Sequence, residues 1–413
     1  MHILFLTDNF PPEVNAPASR THEHCRQWVA SGETVTVVTC APNFPKGRVF
    51  DGYRNRLWQR EVIDGIRVIR VWSYITSNEG FAKRVLDYLS FMFAAIVASL
   101  FVRRVDIVVA TSPQFFTAVA GWVIGALKAV PFVFELRDLW PESIKAVGAM
   151  QDSAAIRWLE KLELFLYRRA ALIVSVTRSF KDTLVRRGIP AEKIEVVTNG
   201  VDISRFSPQP KDQELERELG LQGCFVAGYI GTHGMAHALE TLLAAMAELR
   251  RRQGGETFRL LLLGDGARKP ALQAEAARLE LDNVVFVDTV PKEAVARYWS
   301  LLDVSIIHLK RTDLFTTVIP SKLFECMGMG IPVLHGVAGE SAAIVESEGA
   351  GIVFEPENTG QLVDGLLALR ADDALRSRLR ASALVAAGRY DRGALAARML
   401  ECLRRTVRPA ATT

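Results

Sequence analysis

The sequence predicts an α/β protein built from two doubly wound parallel sheets that face one another across a cleft. Three observations carry that expectation. Short apolar runs rich in Val and Ile alternate with helical patterns. The alternation stops at a polar, Pro-containing segment near mid-chain and restarts beyond it. At 413 residues, the chain exceeds what one hydrophobic core ordinarily holds.

Taken in order, His2–Thr7, Thr34–Cys40, Asp106–Thr111, Phe132–Leu136, Ala171–Val176 and Ile194–Thr198 read as strands. Continuous apolar runs of this length suit a sheet buried on both faces. Helical patterns such as Ala18–Ala30 and Phe116–Lys128 lie between most of them. Val62–Val71 is different, because Asp64-Gly65 between alternating residues signals a β-hairpin. The linker Ser207-Pro208-Gln209-Pro210-Lys211-Asp212 then divides the halves. Beyond it Phe225–Ile230, Phe258–Leu263, Val284–Val287, Val304–His308 and Ile331–Leu334 are strands, each followed by a helix or turn. Such sheets bind ligands beyond the carboxyl ends of their strands, so the expected site is the cleft between them.

Composition narrows the function classes. With 49% hydrophobic and 23% charged residues the chain is globular. A net charge of +4 with no clustered basic and aromatic stripe argues against nucleic acid as a partner. Five scattered cysteines without a Cys-x-x-Cys fit reduced thiols in a cytoplasm. The opening Met-His-Ile-Leu-Phe-Leu-Thr-Asp reaches a polar loop too early for a signal peptide.

Two segments about a hundred residues apart read as halves of one nucleotide-sugar site. One is Val197-Thr198-Asn199-Gly200-Val201-Asp202, followed by Arg205-Phe206; the other is Ile319-Pro320-Ser321-Lys322-Leu323-Phe324-Glu325. Together with Gly228-Tyr229-Ile230-Gly231, Leu263-Gly264-Asp265-Gly266, Asn283–Pro291 and Asp303–Leu309, they make the chain similar to retaining glycosyltransferase family 4. Within it, Asp8-Asn9-Phe10-Pro11-Pro12-Glu13, Glu135 to Glu142 and Gly231-Thr232-His233-Gly234-Met235 most resemble bacterial O-antigen and capsule transferases of N-acetylfucosamine type. The resemblance implies the GT-B fold, two Rossmann-like domains, with an acceptor-binding domain at 1–206 and a nucleotide-sugar domain at 207–385. A C-terminal helix within 386–413 should cross back onto the first domain. It also implies transfer from a UDP-sugar to a lipid-diphosphate-linked saccharide with retention and without a metal, and the sequence has no Asp-x-Asp triplet.

A nucleotide diphosphate sugar needs a grip on the ribose, neutral charge at the diphosphate and a shaped sugar pocket. The resemblance gives the ribose to Glu325. The family's preceding glutamate, eight positions earlier, is replaced by Thr317, which with Val318 offers a hydroxyl and backbone N–H. The usual Arg and Lys after the Gly-x-x-Gly strand are replaced by Thr232 and His237. The start of the Ser321-Lys322 helix and Lys269 are expected to supply the missing positive charge. A lone lysine is more often simply solvated, and for Lys269 that competing reading stands beside the phosphate contact. His233, a catalytic candidate, and His237 flank Gly234 at a strand-to-helix junction, where a neutral imidazole donor is favoured over a cation; a turn histidine with a backbone partner is the competing reading for each. His308, on an apolar strand, reads as a satisfied core residue. Asn199 completes the donor set, and Asn15 lies where the family commonly has a Gly-Gly pair near the diphosphate. Asp138 and Glu142 follow the Phe132–Leu136 strand as acceptor-orienting or base candidates; Asp138 as a helix cap or as the partner of Arg137 is the structural alternative.

Leu89–Val102 runs fourteen residues without charge between Lys83-Arg84 and Arg103-Arg104. That is too short to span a bilayer and suits a peripheral helix on the inner membrane surface. Ile156–Arg169 is expected to pack on its sheet instead. Two other readings stay open: a sugar-nucleotide epimerase of the same fold, and a degenerate membrane-associated scaffold.

Overall fold

The computed structural model of the protein describes residues 1–44, 47–76, 81–139, 154–252, 254–291 and 293–407. These divide into two compact units, Met1–Thr198 with Arg392–Thr413, and Asn199–Asp391. The division falls ahead of the Pro-containing linker because Val201 is tied to the far end of the second unit. Its N–H donates to the Tyr390 carbonyl at 2.9 Å, and it bridges to Asp391.

The first unit carries β1 (His2–Leu6), β2 (Thr34–Cys40), β3 (Trp58–Ile63), β4 (Ile66–Val71), β5 (Ile107–Thr111), β6 (Phe132–Leu136), β7 (Leu172–Ser175) and β8 (Ile194–Val196). They form one sheet in the order β3-β4-β2-β1-β5-β6-β7-β8, parallel throughout except for the β3–β4 hairpin. Asp64 and Gly65 both adopt positive φ, 49° and 78°, as a two-residue hairpin turn requires. The hairpin begins at Trp58, four residues before the expected start, because Trp58 pairs across to Val71. Sheet faces are covered by helices, among them Ala16–Ala30, Phe81–Leu100, Phe115–Lys128 and the terminal Arg392–Val407. The terminal helix belongs to this unit: Leu395, Met399, Leu400 and Leu403 join Ile3, Phe5 and Trp28 in one core, and Trp28 Nε1 donates to the Ala396 carbonyl at 2.9 Å.

The second unit carries β9 (Phe225–Ile230), β10 (Phe258–Leu263), β11 (Val284–Val287), β12 (Val304–His308), β13 (Val333–Gly336) and β14 (Gly351–Val353). All pair in parallel, in the order β11-β10-β9-β12-β13-β14. That order reverses at the β9/β12 junction, as the first sheet does at β1/β5. β13 starts at Val333, not Ile331, since Gly330 at φ 66° closes the preceding helix and Pro332 has no N–H for the ladder. β14 has no counterpart in the sequence reading. At three residues it has no period to detect, and an added Cβ on Gly351 would sit 2.1 Å from the Val333 carbonyl.

Candidate functional site

The second unit's junction strands end at Ile230 and His308, and the loop after β9 holds the densest set of unusual side chains. Tyr229 is fully buried, and its hydroxyl donates to the Thr232 carbonyl at 2.9 Å. The rings of His233 and His237 lie 6.0 and 5.8 Å from the Tyr229 ring, centroid to centroid. From the other side the Lys322 ammonium reaches over the same ring at 3.6 Å. It makes no hydrogen bond or ion pair with the described residues. Gly231 makes room for it, because an added Cβ there would stand 2.8 Å from Nζ.

Burial sets the protonation of this cluster. It depresses Lys322 to about 7, against a weaker opposing pull from Glu325 on its own helix. Burial first, then the nearby lysines, lowers His233 to about 4; burial and Lys322 do the same for His237. Both imidazoles are therefore neutral near pH 7. His233 is fully buried, and neither of its ring nitrogens nor His237 Nδ1 has a hydrogen-bond partner among the described residues. His308 is the satisfied residue it was expected to be. Nε2 accepts from Glu357 N–H at 2.9 Å, so the Nδ1–H donates to the His237 carbonyl at 2.8 Å.

The two motif segments pack on each other. Val201 and Phe206 share a core with Leu323, Phe324 and Met327 of helix Lys322–Met329. Gly328 allows the approach, since its Cβ would lie 2.7 Å from the Phe206 carbonyl. Glu325 follows Lys322 by one turn on that helix and is partly exposed. Ser321 occupies the N-cap position, but its backbone is already helical (φ −58°, ψ −29°) and its hydroxyl does not cap. The Leu323 and Phe324 N–H groups turn back to Pro320 and Ser321 at 3.0 and 3.1 Å, so they are not free for an anion. Thr317 closes a 3-10 turn, and its hydroxyl donates to Leu314 at 2.7 Å while the Val318 N–H reaches Phe315 at 3.3 Å. The Thr317 hydroxyl is thus left with acceptor capacity, and the Val318 N–H is already engaged. Asn199 opens the second unit at its partly buried start.

Lys269 does not join the cluster. Its ammonium donates to the Gly264 and Val287 carbonyls at 2.8 and 3.1 Å and to Asp288 at 2.5 Å. An ammonium has three donors, so none remains for a phosphate. Lys269 instead ties the ends of β10 and β11 together.

In the first unit a cavity of about 270 Å³ opens at the carboxyl ends of β1 and β5. Asn15 lines it, but its side chain is engaged: Oδ1 caps helix Ala16–Ala30 by accepting from Ala18 at 2.9 Å, and Nδ2 donates to Asn9 at 2.6 Å. Its extended backbone (φ −66°) needs no glycine. Asp8 and Asp87 also line the cavity. Burial, reinforced by Asp8, raises Asp87 to about 7, and burial raises Asp8 as well. Buried Gln114 completes the wall, one end of its amide held by Thr117. Asp87 and Gln114 went unnoticed in the sequence because neither sits in a motif. Asp138 follows β6, where its N–H donates to Ser112 Oγ at 3.2 Å. It is beside this cavity and not in its wall. Glu142 lies outside the described residues. Among the described residues, no group of three or more His, Cys, Asp or Glu side chains is placed to hold a metal ion.

Comparison with known proteins gives this geometry its context. Residues 15–200 match the family model of the glycosyl transferase 4-like domain, and residues 224–372 that of glycosyl transferases group 1. A putative colanic acid biosynthesis glycosyl transferase, WcaI of Escherichia coli K12, is 23% identical over 380 residues, covering 89% of this chain and 91% of that one. Sucrose-phosphate synthase from Thermosynechococcus elongatus superimposes with a TM-score of 0.75 at 17% identity, over 98% of each chain. Anabaena HepE in complex with UDP and glucose gives 0.73 at 18%, over 97% of this chain and 99% of that one. At these identities the structural likeness is one of fold.

Proposed function

We propose that this chain, a glycosyltransferase by the match of both its halves, moves an N-acetylated amino or deoxyamino sugar from a UDP-sugar to a lipid-diphosphate-linked saccharide, with retention, during assembly of a bacterial surface polysaccharide. The observation that carries the donor half is the unpaired Lys322 ammonium held over Tyr229 beside Gly231, with two neutral imidazoles around it. A partly buried cation without a counterion is a site for an anion, and a diphosphate supplies one. Glu325, one turn on, accepts from the ribose hydroxyls. His233 and His237 donate hydrogen bonds to phosphate or sugar oxygens without adding charge.

In the reaction the bond from the anomeric carbon to the phosphate oxygen breaks. A bond to the acceptor oxygen forms on the same face, and the acceptor's proton passes to the departing phosphate. UDP leaves carrying that proton, so no protein base is required, and Asp138 orients the acceptor hydroxyl. Lys322 stabilises the charge that grows on the leaving diphosphate, which is a larger effect than binding the ground state. The bacterial polysaccharide setting follows the name of WcaI, and the UDP donor follows the ligand of HepE.

The test is a panel of UDP-, GDP- and dTDP-sugars in thermal-shift and turnover assays, since a true donor stabilises by mass action. Product that appears only when a lipid-linked acceptor is added supports the reading. Conversion of the donor alone would favour an epimerase, and binding without turnover a scaffold.

A further inference from the structure

Helix Phe81–Leu100 is only half covered by its own unit. Phe91, Met92, Ala95 and Ala98 are buried in the core, so Phe91 is not part of any outward face. Leu86, Phe93, Val97 and Leu100 project the other way, each about half exposed or more, and Phe101 follows at 67%. Their spacing of seven, four and three residues is one stripe of a helix.

At the carboxyl end of this helix lies a cavity of about 480 Å³ near the start of β1, floored by Val68, Ile69 and Val102. Arg60, Arg67 and Arg103 stand on its rim, all exposed, and none makes an ion pair or side-chain hydrogen bond with the described residues. The carboxylate in its wall, Glu61, is already bound by buried Arg70. Asp106, next along the chain, accepts from the His2 N–H at 2.6 Å. The rim is built and not loose. Lys128 donates to the Val102 and Leu100 carbonyls at 2.8 and 3.3 Å. His2 Nδ1 lies 3.1 Å from the carbonyls of Arg103 and Arg104. The Arg60 guanidinium stacks over Trp58 at 5.2 Å, and Trp58 meets Phe101 edge-on at 5.9 Å.

Three unpaired guanidiniums around an apolar floor match a phosphate ester attached to hydrocarbon. We propose that this cavity takes the phosphate of an anionic membrane phospholipid, whose chains lie over Phe101 and the exposed stripe of Phe81–Leu100. The choice of a membrane over a free phosphate compound rests on the stripe. A soluble ligand would leave Phe93, Val97 and Leu100 facing water, whereas a helix lying in the bilayer interface buries them. Attachment that rests on exposed arginines and one apolar stripe is reversible and salt-sensitive. The inference goes beyond the transfer reaction and stands whichever sugar is moved.

The experiment is flotation of the full chain with vesicles of phosphatidylcholine alone and with one-third phosphatidylglycerol, at two salt concentrations. Binding is expected only to the anionic vesicles and weaker in high salt. Arg60→Gln, Arg67→Gln and Arg103→Gln together should reduce it on the order of a hundredfold, at roughly fivefold for each arginine near an anionic surface. Phe93→Ser with Phe101→Ser should also reduce it with the arginines in place. An unchanged melting temperature, with UDP protection where UDP binds the parent, keeps either loss from being one of folding. Undiminished vesicle binding by the arginine variant overturns the proposal. So does glycerol 3-phosphate competing fully for the protein at the vesicle's own phosphate concentration, which would mark a free phosphate-ester site, or a dimer in which the Phe93 face is buried. Loss of sugar transfer with vesicle binding intact would count against the proposed function and leave this site standing.

Discussion

The ammonium of Lys322 stands 3.6 Å from the centre of the Tyr229 ring and forms no ion pair with a carboxylate among the described residues. Such a contact contributes about 0.5–2 kcal/mol, less than burial takes away, which is why Lys322 titrates at about 7. The charged form therefore predominates only below that pH. A bound diphosphate favours the charged form, so binding raises the lysine's pKa and takes up a proton. UDP affinity should accordingly fall by up to about tenfold per pH unit above 7, because protonating the lysine costs about 1.4 kcal/mol more at each step. Calorimetry at pH 6.5, 7.5 and 8.5 in buffers of differing ionisation enthalpy reads both effects. Lys322→Met should weaken binding and flatten the pH profile; a parent profile that is already flat would remove Lys322 from the diphosphate.

Glu325→Ala is expected to weaken UDP-sugar binding by about 1.5–3 kcal/mol, the loss of hydrogen bonds to a charged group. Its place one turn after Lys322 on the same helix, packed on the Val201–Phe206 segment, is the reason. Glu325→Gln, which keeps the acceptor oxygen, should lose less. Equal affinity in all three proteins would take the ribose away from Glu325.

How far the sequence revealed this site depends on how local each signal is. Parallel strands covered by helices read as mostly apolar runs, so β9 to β12 were legible to the residue, and Asp64-Gly65 announced its hairpin. The place of Lys322 at a helix start was legible too, because the Pro320-Ser321 turn precedes it. Tyr229 was not, since its role arises only when a helix almost a hundred residues later lays an ammonium on its ring. Lys269 misled for the converse reason. Gly264-Asp265-Gly266 followed by a lysine looks like a phosphate loop, but here the chain folds the lysine back onto its own carbonyls. Asp87 belongs to a helix read for its apolar residues, and only the fold brings its carboxylate to Asp8.

Activity should survive chelation. The proposed mechanism places the diphosphate against Lys322 and neutral imidazoles, and the described residues offer no metal-ligand group. Initial rates with and without EDTA should agree; a loss restored by manganese would replace the Lys322 mechanism with a metal-assisted one.

The glycines after β10 are expected to be irreplaceable for fold before chemistry. Gly264 has φ 142°, and an added Cβ would lie 1.9 Å from the Gly231 carbonyl; on Gly266 it would lie 2.5 Å from that of His233. Gly264→Ala must push apart the two loops that position Gly231 and His233. A cost of roughly 2–4 kcal/mol follows, since strain and lost packing combine. Urea unfolding measures it, and a change below about 0.5 kcal/mol would mean the loops separate freely.

The most stability is expected to ride on Arg20 and Glu135, a buried pair in the first unit at 2.9 Å. Arg20 also donates to the Val197 and Thr198 carbonyls at 2.9 and 2.6 Å, fixing the chain as it leaves β8. Burial alone would raise the Glu135 pKa, but Arg20 and Arg137 outweigh it and hold the carboxyl below its usual range. In the parent, that contribution is present at neutral pH and is lost as pH falls through the depressed pKa. Arg20→Met strands the carboxylate with Arg137 alone and leaves two carbonyls without their donor. About 3–5 kcal/mol should be lost at pH 7.5, as when one partner of a buried pair is removed. The sign then reverses. In the variant, burial moves the Glu135 pKa upward, so protonation relieves the penalty as pH falls, and the gap to the parent should narrow by pH 5. Arg20→Met with Glu135→Leu should recover the part due to the stranded charge but not the part due to the Val197 and Thr198 carbonyls. Urea unfolding of the three proteins at both pH values decides the matter, and a gap equal at pH 5 and 7.5 would show that Arg20 matters for its carbonyl contacts and not for its charge.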